Sequence, residues 1–156
     1  MTINDKVFGE LTYEHNWYKD ASINFLGQDV EIFLSVSGEE DGLFEEGQYL
    51  SYTKLIEKWE IVYPQVLPKI LEYYKEERWA LGYDVEENED YPLIETVEEM
   101  ANHIELTGIK VPYFGALGGK RNIGILFECS WDEENGLGIR LLDEEIHKIG
   151  YQDVAL

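Results

Sequence analysis

Apolar and polar side chains alternate in three runs within the first 37 residues of the chain. Alternation with a period of two is the pattern of a β-strand that buries one face. The apolar positions are Val7, Leu11 and Tyr13 in the first run, Trp17, Ala21, Ile23 and Phe25 in the second, and Val30, Ile32, Leu34 and Val36 in the third. This pattern predicts a three-strand antiparallel meander.

The connections between these strands are constrained because the apolar positions must stay on one face. An even loop is needed between the second and third runs, and Gly27-Gln28 fits a two-residue type II′ turn. An odd loop is needed between the first and second runs. Glu14-His15-Asn16 fits a three-residue turn there, with Asn16 in the left-handed conformation.

Beyond a predicted loop over 38–47, the apolar spacing changes to three and four residues, which indicates one face of a helix. These positions are Leu55, Ile56, Trp59, Val62, Tyr63, Val66, Leu67, Ile70, Leu71 and Tyr74. Pro64 and Pro68 interrupt the pattern, and each removes a helical donor and crowds the preceding turn. We expect two helices, over about 48–62 and 64–80, or one sharply kinked helix, ended by Gly82.

The remaining chain combines a short helix with further strands. The helix is predicted over 92–103, with Val97, Met100, Ala101 and Ile104 inward, followed by a strand over 104–113 and a loop over 115–122. Two later strands share one parity, with Ile123, Ile125, Phe127, Cys129 and Trp131 in one and Leu137, Ile139 and Leu141 in the other. Joining them requires an odd loop, predicted as residues 134–136 with Gly136 left-handed. A last strand is expected at about 146–151.

The order of strands, helices and strands predicts an α+β fold in a single domain over residues 1–156. The expected sheet is antiparallel and combines the N-terminal meander with the C-terminal strands. Two or three helices are expected to pack on one of its faces.

The chain is strongly acidic. It carries 33 Asp and Glu against 12 Lys and Arg, which gives a formal charge of −21. Residues 84–108 hold nine acidic side chains and no Lys or Arg. A field of this sign repels nucleic acid and anionic membranes and attracts basic proteins at long range. The acidity therefore serves solubility alone, or it serves a basic partner.

The remaining composition indicates a cytoplasmic protein. A single cysteine excludes an internal disulfide framework and fits a reducing compartment. The first residues have no apolar core of a secretory signal. No apolar run approaches the ~20 residues that a membrane-spanning helix needs.

Each candidate motif for catalysis or cofactor binding lacks residues that its chemistry requires. Gly119-Lys120 lacks the upstream glycine of a P-loop, since Phe114 stands there, and Arg121 replaces the Mg²⁺-binding hydroxyl. Cys129 lies mid-strand on an apolar face, and three scattered histidines have no ligand spacing. Residues 132–136 lack the alternating oxygen ligands of an EF-hand, although adventitious Ca²⁺ binding stays open. We expect no catalytic residue, metal or cofactor.

Aromatic residues allow two interpretations. Tyr73, Tyr74, Trp59 and Trp79 fit the core and its edge, and the alternative is an exposed anchor for a partner.

Two segments of the chain resemble one family of small bacterial domains of unknown function. One comprises residues 127–140 (FECSWDEENGLGIR) with 150–155 (GYQDVA), and the other comprises 7–13 (VFGELTY) with Trp17. Members of that family are found beside polymorphic toxins, notably the LXG-type toxins of Gram-positive bacteria, and are regarded as immunity proteins. The resemblance implies an antitoxin that blocks a toxin without catalysis of its own.

A basic nuclease domain is the expected partner, because nucleases that grip phosphates are basic and an acidic inhibitor imitates the phosphate track. The first candidates for partner binding are the predicted-loop residues Glu86, Glu87, Glu89 and Asp90. Second candidates are Asp132, Glu133 and Glu134, and Glu39, Glu40 and Asp41. Two other classes stay open: an acidic housekeeping or structural module without a toxin partner, and a hydrolase built on a carboxylate pair.

Overall fold

The structure is a computed structural model that describes residues 1–83, 88–115 and 118–156. Its strands are β1 (Thr2–Asp5), β2 (Gly9–Glu14), β3 (Asn16–Phe25), β4 (Gln28–Val36), β5 (Ile104–Val111), β6 (Asn122–Cys129), β7 (Leu137–Leu142) and β8 (Glu145–Gly150). Its helices are α1 (Glu46–Ala80), α2 (Val97–Ala101) and a final 3₁₀ turn, η1 (Gln152–Ala155). No helix among the described residues is long and apolar enough to cross a bilayer.

All eight described strands form one sheet in sequence order, β1 to β8. In a pure meander all seven pairs of neighbouring strands would be antiparallel. Here β4 and β5 run parallel, with Phe33 opposite Gly108 and Val36 opposite Val111. The expectation of an antiparallel sheet is therefore wrong at this pair. The reason is α1, which carries the chain back along the sheet between β4 and β5, as parallel neighbours require. The broad α+β class is confirmed.

The N-terminal meander is confirmed as β2, β3 and β4, and β1 adds an edge strand that the pattern did not predict. The inward position before β2 is Phe8, which is buried, whereas Val7 is exposed. Both backbone N–H groups donate to Asp5 Oδ2 at 2.9 Å, so a tight turn precedes β2 and changes the parity there.

Both predicted turns have the right parity but different backbone conformations. Phe25 pairs with Gln28, so the two-residue loop is Leu26-Gly27, and both residues have positive φ (56° and 81°). That is a type I′ turn, with the glycine in the second position instead of the first. In the odd loop, Tyr13 pairs with Trp17, but the left-handed residue is His15 (φ 72°) and not Asn16.

α1 is one continuous helix of 35 residues, so the prediction of separate helices over 48–62 and 64–80 is wrong. Pro64 and Pro68 are both exposed and one helical turn apart. The backbone hydrogen bonds that the two prolines remove are therefore on the solvent side of the helix. Packing of the opposite face against the sheet holds the helix together. The buried face is Gln48, Ser51, Leu55, Trp59, Val62, Val66, Leu67, Ile70, Tyr74 and Arg78.

The C-terminal half follows the predicted order with different bounds. The helix expected over 92–103 shrinks to α2, capped by Thr96, whose hydroxyl accepts the N–H of Glu99 at 3.1 Å. β5 ends at Val111 because Pro112 follows. Gly136 is left-handed as predicted (φ 63°), but the β6–β7 connection spans 130–136 instead of three residues. Within it, Asp132 Oδ1 accepts the N–H of Asn135 at 3.1 Å.

The two faces of the sheet are covered differently. α1 packs on one face, where Trp59 donates to the carbonyl of Asn24 and Phe25 contacts the rings of Trp59 and Phe127. The other face carries η1 and the residue before it. A Cβ atom on Gly124 would lie 1.8 Å from the carbonyl oxygen of Ala155 in η1, and one on Gly138 would lie 2.6 Å from that of Tyr151. We call this second side the open face, because η1 covers it only in part.

Candidate functional site

The C-terminal end of α1 exposes a tryptophan beside acidic loops. The helix ends in a Schellman motif, with the N–H of Gly82 on Trp79 O at 3.0 Å and that of Tyr83 on Arg78 O at 2.9 Å. Gly82 has φ 85°, as its predicted terminating role requires. Trp79 is 71% exposed, whereas the other three tryptophans, all within the described residues, are at most 8% exposed. The core interpretation is confirmed for Trp59 and is wrong for Trp79.

The segment after the helix folds back against its last turns. Arg78 Nε donates to the carbonyl of Tyr91 at 2.8 Å, and the hydroxyl of Tyr74 donates to the carbonyl of Pro92. Asn88 Oδ1 accepts the N–H of Tyr91 at 3.1 Å and so shapes the loop before it. These bonds place residues 88–95 beside the end of α1.

A groove of about 410 Å³ lies between this segment and α1. Trp79 forms one wall, buried Ile94 contributes to the lining, and the carboxylates of Glu76 and Glu95 border it. Lys75 reaches Glu95 at 3.6 Å, an exposed ion pair that contributes little to stability. The groove therefore combines an accessible aromatic wall with exposed carboxylates.

The β6–β7 turn packs against the same end of the helix, since the rings of Trp131 and Tyr74 lie 4.5 Å apart. Asp132 is half-buried, and its Oδ1 accepts the N–H of Asn135 at 3.1 Å. Glu133 and Glu134 are exposed and make no hydrogen bond or ion pair with the described residues. Their carboxylates are free to meet cations from outside.

Three tyrosines at this end have raised pKa values. Burial raises the pKa of Tyr73, and the charges of Glu77 and Asp132 add to the shift. Burial likewise raises the pKa of Tyr91, with Asp132 the next cause. Burial raises the pKa of Tyr74 to about 12, although Arg78 opposes it. These hydroxyls therefore stay neutral at physiological pH, and Asp132 lies close enough to influence two of them.

A second acidic cleft, of about 640 Å³, adjoins the β6–β7 turn. Glu105 and Glu128 stand directly opposite each other on β5 and β6, and Glu133 completes three carboxylates in the lining. Like charges in that position cost stability. His103 Nδ1 and Ser130 Oγ lie 2.7 Å apart, and Ser130 N–H also donates to His103 O at 2.9 Å. This double link ties the end of α2 to the turn, which is a structural role.

The structure divides the predicted binding residues into two groups. Glu86 and Glu87 lie outside the described residues. Glu89 and Asp90 are exposed at the C-terminal end of α1, where residues 132–134 also lie. Residues 39–41 lie at the other end, where Tyr113 donates to Glu39 Oε1 at 2.9 Å. α1 separates the two groups by roughly 50 Å, from 35 residues at 1.5 Å each.

Sequence reasoning left the aromatic half of this site open between core packing and an exposed anchor. Ile70, Tyr74 and Arg78 are buried at a spacing of four residues along one face of α1. Trp79 comes one position later, so the helical period already directs it away from that face. The parity predicted for β6 already places Glu128 outward, but its meeting with Glu105 depends on the pairing of β6 with β5, which the sequence does not show.

The chemistry of this end suits cationic side chains. Carboxylates accept hydrogen bonds from Arg and Lys, and the face of an exposed tryptophan attracts the same cations. Among the described residues, no three His, Cys, Asp or Glu side chains are placed to hold a metal ion. We use the name acidic–aromatic end for a set of exposed residues at the C-terminal end of α1, namely Trp79, Glu89, Asp90, Glu133 and Glu134.

Fold and surface together define a small α+β protein with one mixed sheet and an acidic surface bordered by an exposed aromatic side chain. The chain belongs to the family described as a domain of unknown function, DUF6985, which it matches over residues 7–156. No curated protein and no solved structure matches it.

Proposed function

We propose that this protein is an immunity protein that binds a basic toxin through its acidic–aromatic end and has no catalysis of its own. The observation that carries the proposal is the exposed Trp79 at a groove bordered by carboxylates. Tryptophan is the residue type most enriched among binding hot spots, and its exposure has no role in the fold.

Electrostatics supports the same partner class. A chain of charge −21 attracts a basic protein and accelerates encounter, toward ~10⁸ M⁻¹s⁻¹ at low salt. Exposed carboxylates also occur on the meander, at Glu10, Asp20, Asp29 and Glu31. Charge alone therefore does not select a surface, and the aromatic side chain does.

The toxin assignment rests on the likeness of residues 127–140 and 7–13 to domains found beside polymorphic toxins. A nuclease domain is the proposed target because its phosphate-binding cleft is basic. We place the interaction in the cytoplasm, where a toxin's own producer needs protection.

Charge reversal tests the surface. Glu89, Asp90, Glu133 and Glu134 are replaced together by Lys, and binding to the product of the adjacent toxin gene is measured by calorimetry at about 0.15 M salt. We expect affinity to fall by more than about 100-fold, since rim charges and the register of the complex are both disturbed. The matched control replaces Glu10, Asp20, Asp29 and Glu31 by Lys, which changes net charge equally on the meander.

The two variants separate local recognition from overall charge. Equal losses in both would mean that the field of the whole molecule attracts the toxin and that the acidic–aromatic end has no special part. Full binding and protection by the first variant would refute the proposed surface. Failure of the wild-type protein to copurify with the neighbouring gene product would refute the toxin partner itself.

A further inference from the structure

Two buried cations lie on the open face of this very acidic protein. Lys110 on β5 is paired with Ser35 on β4 and with Gly124 on β6. Gly124 is in turn paired with Arg140 on β7. Each cation is only 7% exposed. Both therefore point into a covered region of the sheet and not into bulk water.

Neither cation forms an ion pair with an Asp or Glu side chain among the described residues. Arg140 donates to Asn122 Oδ1 and to the backbone oxygen of Leu156, both at 2.7 Å. Among the residues that the structure describes, Lys110 Nζ has one acceptor, Ser35 Oγ at 3.2 Å, although an ammonium carries three donors. Burial lowers the pKa of Lys110, and the charge of Arg140 lowers it further. A buried ammonium without an opposite charge is expensive, so the presence of Lys110 calls for a reason.

A pocket of about 400 Å³ opens beside Lys110. Its apolar lining includes Phe33, Leu126 and Leu156, and its polar lining includes Ser35 and Thr107. That combination of an apolar wall with a few converging polar groups is typical of small-molecule sites, and so is the volume.

Local backbone geometry opens the pocket. Gly108 lies in the lining, where a Cβ would come within 3.1 Å of Phe33 O. The β5–β6 register shifts between Leu106 and Gly108, so Thr107 is a bulge residue whose hydroxyl donates to Leu126 O at 3.1 Å. Bulges redirect side chains and are common beside functional sites. Phe33 is 47% exposed and available to a ligand.

We propose that this pocket binds a small carboxylate monoanion with an apolar body, its carboxylate on Lys110 and Ser35 and its apolar part against Phe33 and Leu126. A single ammonium supplies one compensating charge. The field of a −21 chain opposes a second negative charge, which favours a monoanion over a phosphate dianion. This site is on the open face and does not depend on toxin binding.

Nuclear magnetic resonance titration of the full chain tests the proposal with three probes. Phenylacetate is the monoanion, 2-phenylethanol its neutral analogue and phenyl phosphate its dianionic counterpart. We expect phenylacetate to shift the backbone amide signals of Ser35, Gly108, Lys110 and Leu126, with a dissociation constant in the millimolar range. The neutral alcohol and the phosphate should bind at least tenfold more weakly.

Two substitutions locate the charge that matters. Lys110→Met keeps the length of the side chain and removes its charge, and we expect at least a tenfold loss of phenylacetate affinity. Lys110→Gln gives the same comparison if the methionine variant does not fold. Lys148→Met is the matched control, because Lys148 is exposed and stands opposite Arg140 in the same row.

Three results would overturn the proposal. The first is the absence of pocket shifts in the wild-type protein at 20 mM phenylacetate. The second is unchanged affinity in a folded variant without the Lys110 charge, or an equal loss in Lys148→Met. The third is equal or tighter binding of one of the other two probes. For 2-phenylethanol this would show that the site does not recognise a carboxylate, and for phenyl phosphate that it does not prefer a single negative charge.

Discussion

The two ends of α1 use acidic residues in opposite ways. At the N-terminal end, Glu39 accepts the hydroxyl of Tyr113, and Glu45 accepts the N–H of Phe114 at 2.9 Å. At the C-terminal end, Glu133 and Glu134 bond to none of the described residues. Glu39 and Glu45 at the first end therefore stabilise the protein's own loops, whereas Glu133 and Glu134 at the second remain available to other molecules.

Aromatic side chains show the same contrast. Trp17 is buried near the N-terminal end, and its Nε1 donates to Glu39 O at 2.8 Å. Trp79 at the C-terminal end projects from the surface. An acidic loop is therefore a binding candidate only where the fold has not already used its acceptors. This distinction favours Glu89, Asp90, Glu133 and Glu134 over Glu39 and Asp41. It also sets aside Asp132, whose carboxylate accepts from Asn135.

The largest expected effect is at the N-terminal end, in Gly47→Ala. Helix propensity alone would make alanine better by about 1 kcal/mol. Here the added Cβ would lie 2.0 Å from Cγ of Phe114, so the ring and its loop must move. We expect a net loss of about 3 kcal/mol in the free energy of unfolding, measured by urea denaturation.

A double-mutant cycle identifies the cause of that loss. Phe114→Leu alone should be mildly destabilising, and the pair Gly47→Ala with Phe114→Leu should recover at least half of the loss, because the clashing ring is gone. A stabilised Gly47→Ala variant would show that the Phe114 loop does not pack on this end.

A smaller effect is expected between the two ends, where Glu144 fastens α1 to the β7–β8 turn. Its side chain is 6% exposed and bonds to Arg121 at 2.6 and 3.0 Å and to Lys58 at 3.3 Å. Burial alone would raise the pKa of Glu144, but the bonds from Arg121 and Lys58 outweigh it and lower the pKa below its ordinary 4.5. Glu144→Gln should cost about 2 kcal/mol at pH 7.

The pH dependence of that cost has a definite sign. Because the folded pKa is lowered, the ion pair stabilises fully above pH 4.5 and loses its contribution as pH falls through the folded value. The difference between wild type and Glu144→Gln should therefore shrink on acidification from pH 6 to pH 3 in denaturation curves. Exposed Glu145→Gln is the control, with an expected change under about 0.5 kcal/mol. A difference independent of pH would mean that packing, and not charge, fastens the turn.

Periodicity predicted most of the sheet because burial of one face dictates alternation. β2, β3, β4 and the inward residues of β6 and β7 all follow from it. The parallel pairing of β4 with β5 could not be predicted, since pairing between distant strands leaves no mark on either strand's alternation. The sequence left two helices or one kinked helix open over this region, because proline chemistry is local. Tertiary packing decides for the single α1, since it stabilises the buried face across both prolines.

The candidate site was half predictable for a related reason. Acidic composition located Glu89, Asp90, Glu133 and Glu134, but it also located Glu39, Asp41 and Asp132, whose acceptors the fold uses. Only three-dimensional contacts distinguish a carboxylate that serves the fold from one that is free. The open-face pocket was not predictable, because Lys110 and Arg140 lie 30 residues apart and meet across β6.

The smallest expected effect on stability is at the C-terminal end, in Trp79→Ala. With 71% of the side chain exposed, its removal should change the free energy of unfolding by less than about 0.5 kcal/mol. Acrylamide quenching of fluorescence should lose its accessible component in this variant and keep it in Trp59→Phe, since Trp59 is buried. Toxin affinity should nonetheless fall by roughly 30-fold or more, as expected for a hot spot. A stability loss of several kcal/mol would make Trp79 a packing residue, and the two ends of α1 would no longer differ.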